Sequence, residues 1–155
     1  MVGDIADLRQ RLLAVPFSRL MGMRVVEADA ESVTAELPSS PEILNHVGTT
    51  HAAAQFGLGE GAVGALALMA FPDLLAAGAV PLLAEATVAY RRPASGTLRA
   101  RAVLSVAEQQ RIRAEFAANG KARYTVPVDL VDQSGTVATT LQVTFAIIIP
   151  RTSNQ

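Results

Sequence analysis

One segment of the chain is almost free of charge, and it constrains the fold more than any other. Between Glu42 and Asp73 the sequence carries a single formal charge, at Glu60. The stretch from about residue 49 to 70 predicts one long helix, ended by Pro72. A carboxylate in so apolar a segment is costly to bury unless it is paired or protonated. Glu60 therefore either faces solvent or is present for its chemistry.

Four glycines make this segment a weak helix by itself. They are Gly57, Gly59, Gly61 and Gly64. Each glycine costs about 0.5–1 kcal/mol relative to alanine in a helix interior, so the helix must be held by tertiary packing. Small side chains also allow a neighbouring layer, such as a curved sheet, to approach closely. Ala52 to Ala70 is long enough to span a membrane, but its glycines, Gln55 and Glu60 favour a helix buried in a domain.

The rest of the chain predicts strands and short helices around this segment. Helices are expected over residues 4–14 and 108–118, and strands over 17–29, 32–37, 80–92, 97–107, 121–131 and 136–149. Pro127 falls inside the fifth strand, which indicates an edge or a bulge there. A turn over 132–135 joins the last two strands, and 151–155 is expected to be a frayed tail. No repeat or linker is visible, so residues 1–155 predict a single α+β domain.

Composition excludes several classes of function. The net charge is −1 and the pI about 6.1, so the chain as a whole is no obvious binder of nucleic acid or anionic membranes. Residues 91–123 are locally basic, with eight Lys and Arg against two Glu, which suits a small phosphorylated ligand or a solvated surface. There are no cysteines, which removes disulfides and a cysteine nucleophile. No apolar run opens the chain, so we expect no signal peptide and a cytoplasmic location.

The opening of the long helix resembles a known family. The run Asn45-x-x-Gly48-Thr49-x-His51, with Glu60 twelve residues after the glycine, resembles the hotdog-fold acyl-CoA thioesterases of the phenylacetate-pathway type. The resemblance covers roughly residues 17–149. It implies a hotdog fold, in which a curved antiparallel sheet of about six strands wraps around one long central helix. The Asn-His-x-Gly-Thr opening and the helical insert at 108–118 look more like a divergent, thioesterase-like branch.

A second motif carries the resemblance further, and the chain departs from the family's pattern in two places. Tyr90-x-x-Pro93-x-x-Gly96 is similar to the family's third strand and following turn. The family's Gly-Gly after the histidine is Ala52-Ala53 here, where a Cβ narrows the approach to the helix. Counting back from Pro93, the family's Ser or Thr falls at Leu83, while Glu85 matches an acidic position that sometimes occurs nearby.

The resemblance implies hydrolysis of an acyl-CoA thioester, with roles for three residues. A helix N-terminus carries free N–H groups and a partial positive charge, which suit an oxygen that becomes negative. The Ala52 N–H is then the oxyanion donor, Glu60 the general base or the nucleophile, and Asn45 orients the water or the carboxylate. The expected substrate-binding residues are Gly48, Thr49, His51, Ala53, Leu83, Glu85, Arg91 and Arg92. The two arginines, with Arg123, are expected to meet the phosphates of coenzyme A, and no other cofactor and no metal is expected.

Helix geometry adds a requirement for a second subunit. Ala52 and Glu60 are eight residues apart, about 12 Å along one helix at 1.5 Å per residue. They cannot both reach one carbonyl carbon, so Glu60 must come from a second copy whose helix runs antiparallel. We therefore expect a homodimer or a dimer of dimers, with acyl-CoA as its partner and neither nucleic acid nor membrane.

Simpler interpretations remain open for the same residues. Glu60 is either a site residue or a solvent-facing helix residue. His46 and His51 favour structural bonds to the loop, Asn45 suits a turn, Gly48 a special backbone geometry, and Thr49 and Thr50 helix caps. A second function on the same fold is a non-catalytic acyl-CoA or fatty-acyl binder. A third is a hydratase, whose chemistry pairs an Asp with a later His, and no His follows His51.

Overall fold

The computed structural model describes residues 4–150, so the predicted tail at 151–155 lies outside the described residues. The helices are α1 (Ile5–Ala14), α2 (Pro16–Met21), α3 (Ala52–Ala70), α4 (Pro72–Ala76) and α5 (Val106–Asn119). The strands are β1 (Arg24–Ala28), β2 (Ser32–Leu37), β3 (Val80–Tyr90), β4 (Leu98–Val103), β5 (Lys121–Val131) and β6 (Val137–Ile148). A short 3-10 turn, Pro41–Ile43, follows β2.

The six strands form one antiparallel sheet in the order β1-β2-β4-β5-β6-β3. The sheet curves around α3, and this is the hotdog fold that the resemblance implied. β4 and β5 pair only through Arg99↔Val131 and Ala100↔Leu130, so the sheet opens beyond that point and α5 packs against β5 there. Pro127 lies in the part of β5 that β4 leaves unpaired, which confirms the predicted edge position.

The glycines of α3 let the helix backbone lie against large side chains of the surrounding layers. A Cβ added at Gly59 would lie 2.8 Å from Cδ2 of Leu141 on β6, and one at Gly61 would lie 2.6 Å from Sδ of Met23. Both distances are shorter than real Cβ contacts allow, so alanine cannot be accommodated without a shift. The prediction of close packing between this helix and the sheet is confirmed.

α3 is the central element of the core. It is long and apolar enough to cross a membrane by length and hydropathy, but 67% of its most apolar window is buried inside the protein. Its buried residues, among them the fully buried Leu58 and Leu66, pack against the inner face of the sheet and contact all six strands. The segment therefore serves as the core helix of an α+β fold, as predicted.

Two local predictions differ from the structure. Residues 17–21 belong to helix α2 rather than to the first strand, because Pro16 begins a helix and Gly22, with φ of +74°, ends it. α3 begins at Ala52, three residues later than predicted, because His51 and not Thr49 or Thr50 is its N-cap. The remaining strand predictions agree with the structure to within a few residues.

Candidate active site at the N-terminus of α3

The loop before α3 is organised by Asn45. Its Oδ1 accepts hydrogen bonds from the Val47 and Thr49 N–H groups at 3.1 and 3.0 Å, and its Nδ2 donates to Thr49 Oγ1 at 2.8 Å. Gly48 turns the chain with φ of +80°, where a side chain would be strained. Both ends of the Asn45 amide are thus engaged within the loop, as the turn interpretation of this residue expected.

The N-terminus of α3 offers one free backbone donor. His51 caps the helix: its Nδ1 accepts from the Ala53 N–H at 3.0 Å, and its carbonyl accepts from Ala54 and Gln55. This confirms a structural role for His51. The Ala52 N–H, by contrast, makes no hydrogen bond within residues 4–150, and Ala52 is exposed. This end of α3, which carries the positive end of the helix dipole, therefore presents one unpaired backbone N–H to a hydrogen-bond acceptor of a ligand.

Three side chains that sequence reasoning did not assign hold this helix end in place. Gln55 is buried; its Nε2 donates to the Thr50 carbonyl at 2.8 Å, and its Oε1 accepts a hydrogen bond from the Thr139 hydroxyl on β6. The Tyr90 hydroxyl on β3 donates to the Ala52 carbonyl at 2.9 Å. The only sequence signal for Gln55 was a lone amide in an apolar helix, because its partner on β6 is 84 residues away.

One side of α3 is left open, and Glu60 lies on it. From Ala54 to Ala70 every residue is buried except Phe56, Glu60, Gly64 and Leu68, which are half-buried and four positions apart. We call these four residues the open stripe. Within the described chain Glu60 accepts no hydrogen bond and pairs with no cation, and its burial raises the pKa of the carboxyl.

The most buried carboxylate of the described residues behaves in the opposite way. Glu36 on β2 is 5% exposed, and burial alone would raise its pKa. Hydrogen bonds from Arg99 and Arg24 outweigh burial and lower the pKa of Glu36. Among the carboxyl groups of residues 4–150 with a shifted pKa, only that of Glu60 is shifted upward. Of the carboxylates in residues 4–150 that are not exposed, only Glu60 has neither a hydrogen-bond donor nor a cation as its partner.

The predicted substrate residues on β3 lie on two different faces of the sheet. Leu83 pairs with the buried Phe145, so it faces α3 and remains 38% exposed. After a bulge, Glu85 pairs with Thr144 on the outer face, and its carboxylate lies 3.7 Å from the Arg123 guanidinium. The structure therefore brings Leu83 towards α3, and it does not bring Glu85 together with the helix N-terminus.

The two predicted arginines lie just beyond Tyr90, at the end of β3 that contacts the start of α3. The backbone N–H groups of both arginines donate to the Ala138 carbonyl, and the side-chain Nε of Arg91 donates to the Thr140 hydroxyl at 3.3 Å. Both side chains are exposed. Two positive charges thus stand at the same end of the fold as the free Ala52 N–H. Within residues 4–150 no three His, Asp or Glu side chains gather as metal ligands would.

A family model described as a domain of unknown function, DUF4442, matches residues 8–147. The chain belongs to the DUF4442 family. Comparison with curated proteins finds no match.

The fold of this DUF4442 chain is similar to those of solved proteins that are described as thioesterases. PA5026 from Pseudomonas aeruginosa, a protein of unknown function described as a probable thioesterase, is 28% identical with a TM-score of 0.86, over 96% of this chain and 97% of that one. The thioesterase HI1161 from Haemophilus influenzae is 14% identical with a TM-score of 0.75, over 100% and 97%. A mutant of the thioesterase SAV0944 from Staphylococcus aureus is 18% identical with a TM-score of 0.68, over 86% and 99%. The hotdog resemblance seen in the sequence is confirmed.

Proposed function

We propose that this protein hydrolyses an acyl-CoA thioester to the free acid and coenzyme A. The observation that carries the proposal is the presence, on one helix, of a single free N–H at Ala52 and an unpaired carboxylate of raised pKa at Glu60. The first suits an oxygen that gains negative charge, and the second suits a base that works near neutral pH. Thioester hydrolysis needs both, and the similarity to solved thioesterases supports the same reaction class.

The reaction proceeds by addition of water to the thioester carbonyl. The Ala52 N–H donates to the carbonyl oxygen, and Glu60 takes a proton from water as its oxygen attacks the carbonyl carbon. The tetrahedral intermediate then collapses, the carbon–sulfur bond breaks, and the proton passes to the departing thiolate. Direct attack by the Glu60 carboxylate, followed by hydrolysis of the anhydride, is the nucleophilic version of the same role.

Glu60 acts from a second copy of the chain. In α3, Ala52 and Glu60 are eight residues apart, about 12 Å along the axis, so one chain cannot place both at one carbon. β3 is an end strand of the described sheet, and Leu82 and Leu83 on it are 51% and 38% exposed. An apolar strand edge beside the open stripe is the kind of surface that a partner covers. An antiparallel pair of α3 helices across this surface brings each Glu60 towards the partner's helix N-terminus.

Asn45 holds the loop that leads to the free donor. SAV0944 has been solved with a glutamine replaced by alanine and with a glutamate, fifteen positions later, replaced by alanine. Asn45 and Glu60 are also fifteen positions apart, so this chain has a side-chain amide and a carboxylate at the same spacing. Gly48, Thr49, His51 and Ala53 shape the approach to Ala52, while Arg91 and Arg92 meet the phosphates of coenzyme A.

Complementation between two inactive variants tests the mechanism. Ala52→Pro removes the free N–H alone, because proline is favoured at the first helical position and His51, with φ −59° and ψ 139°, suits a residue before proline. Glu60→Gln removes the base. Each variant alone should release little free thiol from acyl-CoA. A refolded equal mixture should regain about a quarter of wild-type sites, since half of the dimers are mixed and each carries one intact site.

The control for this experiment is each variant refolded with itself, which should regain nothing. If the mixture stays inactive while both variants form dimers, Ala52 and Glu60 do not act across an interface. If Glu60→Gln alone retains full turnover, the carboxylate has no part in the reaction.

A second candidate is a protein that binds acyl-CoA without hydrolysing it. Leu83 favours this candidate, because it places an apolar side chain on the α3 side of β3 where the resemblance expects a hydroxyl. Ala52 and Ala53 also place Cβ atoms at the helix N-terminus where the resemblance expects two glycines. Binding and thiol release measured on the same set of acyl-CoA esters separate the two functions, since turnover above the buffer rate with any ester excludes a pure binder.

A further inference from the structure

An apolar cavity of about 300 Å³ lies beside the candidate site. It is open to solvent on one side and is bounded by α2, the Pro41–Ile43 turn and the first turn of α3; its apolar lining comprises Phe17, Leu20, Met21, Ile43, Ala53 and Ala54. Phe17 and Leu20 are 54% and 78% exposed at its rim. Large apolar side chains exposed next to a cavity are typical of a ligand site rather than of an ordinary surface.

The cavity lies directly beside the free Ala52 N–H. His51 and Ala53, the residues on either side of Ala52, both line it. A carbonyl oxygen hydrogen-bonded to the Ala52 N–H therefore has its carbon within reach of the cavity mouth, and a chain attached to that carbon can enter it. The phosphate-binding arginines proposed above extend from β3, whereas the cavity wall is built from α2 and the turn before α3.

We infer that this cavity receives the acyl group of the substrate and selects uncharged acyl chains of about six to ten carbons, an inference that rests on the proposed hydrolysis. Its volume equals about ten water-sized groups at about 30 Å³ each. The lining offers hydrocarbon contacts to such a chain. The Glu42 carboxylate, also in the lining, disfavours acyl groups that end in a second carboxylate.

Gly57 gives a way to alter the cavity from behind. A Cβ added there would lie 2.7 Å from Met21 Sδ and 3.2 Å from Phe17 Cε1. Both atoms are at the ends of side chains that line the cavity, so Gly57→Ala pushes them into it. The ratio of kcat/KM for decanoyl-CoA to kcat/KM for hexanoyl-CoA should fall about tenfold or more. Exclusion of one methylene from an apolar pocket changes the discrimination between two substrates by that order.

Gly59→Ala is the matched control. It makes the same change in the same helix and meets Leu141 at 2.8 Å, which does not line the cavity. It should leave the chain-length ratio unchanged. Because both glycine variants strain the core, a surface pair is measured beside them. Leu20→Glu places a charge at the rim and should weaken the longer esters, while Leu13→Glu, at a leucine that is 52% exposed and outside the cavity, should not.

Binding of non-hydrolysable thioether analogues of the same acyl-CoA series, followed by calorimetry, separates this inference from the proposed function. Chain-length-dependent binding that Gly57→Ala and Leu20→Glu weaken, without turnover, supports the cavity and removes the hydrolase. If the ratio of decanoyl to hexanoyl turnover or affinity is the same in all four variants, the cavity does not receive the acyl group, whereas the proposed hydrolysis is unaffected. Tighter binding of succinyl than of hexanoyl analogues also overturns the inference, and so does failure to bind any analogue.

Discussion

The two sides of α3 are built on different rules. On the closed side, glycines receive large side chains of the surrounding layers, as Gly59 receives Leu141 and Gly61 receives Met23. On the open side, the stripe that contains Glu60 and Gly64 is only half covered. At Gly64 an added Cβ would lie 3.7 Å from Phe145, an ordinary contact distance. The closed side is thus fitted to its neighbours, whereas the open side is packed more loosely and is half-buried.

The difference determines where on α3 an unpaired carboxylate can lie. A charge on the closed side would be buried without a partner, at a cost of several kcal/mol. Glu60 on the open side keeps an unpaired carboxylate at a smaller cost, with a raised pKa. Glu36 reaches deeper burial only because Arg24 and Arg99 both hold it. Of these two carboxylates, Glu60 is the one without a cation, which is why the proposed mechanism assigns proton transfer to it.

Replacing Glu60 by Gln should produce the largest effect on turnover. Removal of a general base costs on the order of 10²- to 10⁴-fold in kcat, and the measurement is release of free thiol from acyl-CoA. Glu36→Gln is the matched control: it makes the same chemical change at a buried carboxylate on β2, and it should cost stability while leaving kcat near the wild-type value. Equal losses of kcat in both variants would remove the distinction between the two carboxylates.

Replacing Gly59 or Gly64 by alanine should change the free energy of unfolding in opposite directions, because the two glycines lie on different sides of α3. Gly59→Ala overpacks the helix against Leu141 and should lower the free energy of unfolding by about 1–3 kcal/mol. Gly64→Ala meets Phe145 at an ordinary distance and gains helix propensity, so it should raise the free energy by about 0.4–1 kcal/mol. Chemical denaturation measures both. A strong destabilisation by Gly64→Ala would mean that the open stripe is closely covered in solution.

The pH dependence of stability should distinguish Glu60 from Glu36 by its sign. Burial raises the Glu60 pKa, so the folded state holds its proton more tightly than the unfolded state. Stability from this group is present below the ordinary pKa of 4.5 and is lost as pH rises through the raised value. Glu60→Gln should therefore gain stability over wild type at neutral pH and lose that advantage in acid. Glu36 has a lowered pKa, so Glu36→Gln should be less stable at neutral pH, with the difference shrinking as the pH falls.

Tyr90→Phe should have the smallest effect. It removes one hydrogen bond to the Ala52 carbonyl from a side chain that is 48% exposed, which is worth about 0.5–1.5 kcal/mol. We expect kcat to fall by a few fold, because the N-terminus of α3 loses one of its anchors to β3. Unchanged kcat with an unchanged melting temperature would show that Gln55 and the loop position the helix without Tyr90.

Patterns that repeat along the chain were predictable, and contacts between distant segments were not. β2 and β5 were predicted to the residue because apolar and polar side chains alternate strictly there. The predicted first strand is too long, because the apolar residues from 17 to 25 have no clear period. Residues 16–21 form α2 instead, which begins at Pro16 and is ended by Gly22.

Site residues divide in the same way. Glu60 stood out because an isolated charge in an apolar segment is visible in one dimension. The outward position of Glu85 depends on a bulge between it and Leu83, and the role of Gln55 depends on its register against Thr139. Neither the bulge nor the register leaves a local pattern in the sequence.

The glycine-dependent fit of α3 also constrains how the chain can be made. Gly59 leaves the ribosome before Leu141, its packing partner, by about 80 residues, which at 5–20 residues per second is roughly 4–16 s of synthesis. During that interval β1 to β5 are available to the glycine-weakened, apolar segment, but the β6 strand that completes the sheet beside it is not. The part of residues 52–70 that packs against β6 therefore stays uncovered until the end of synthesis.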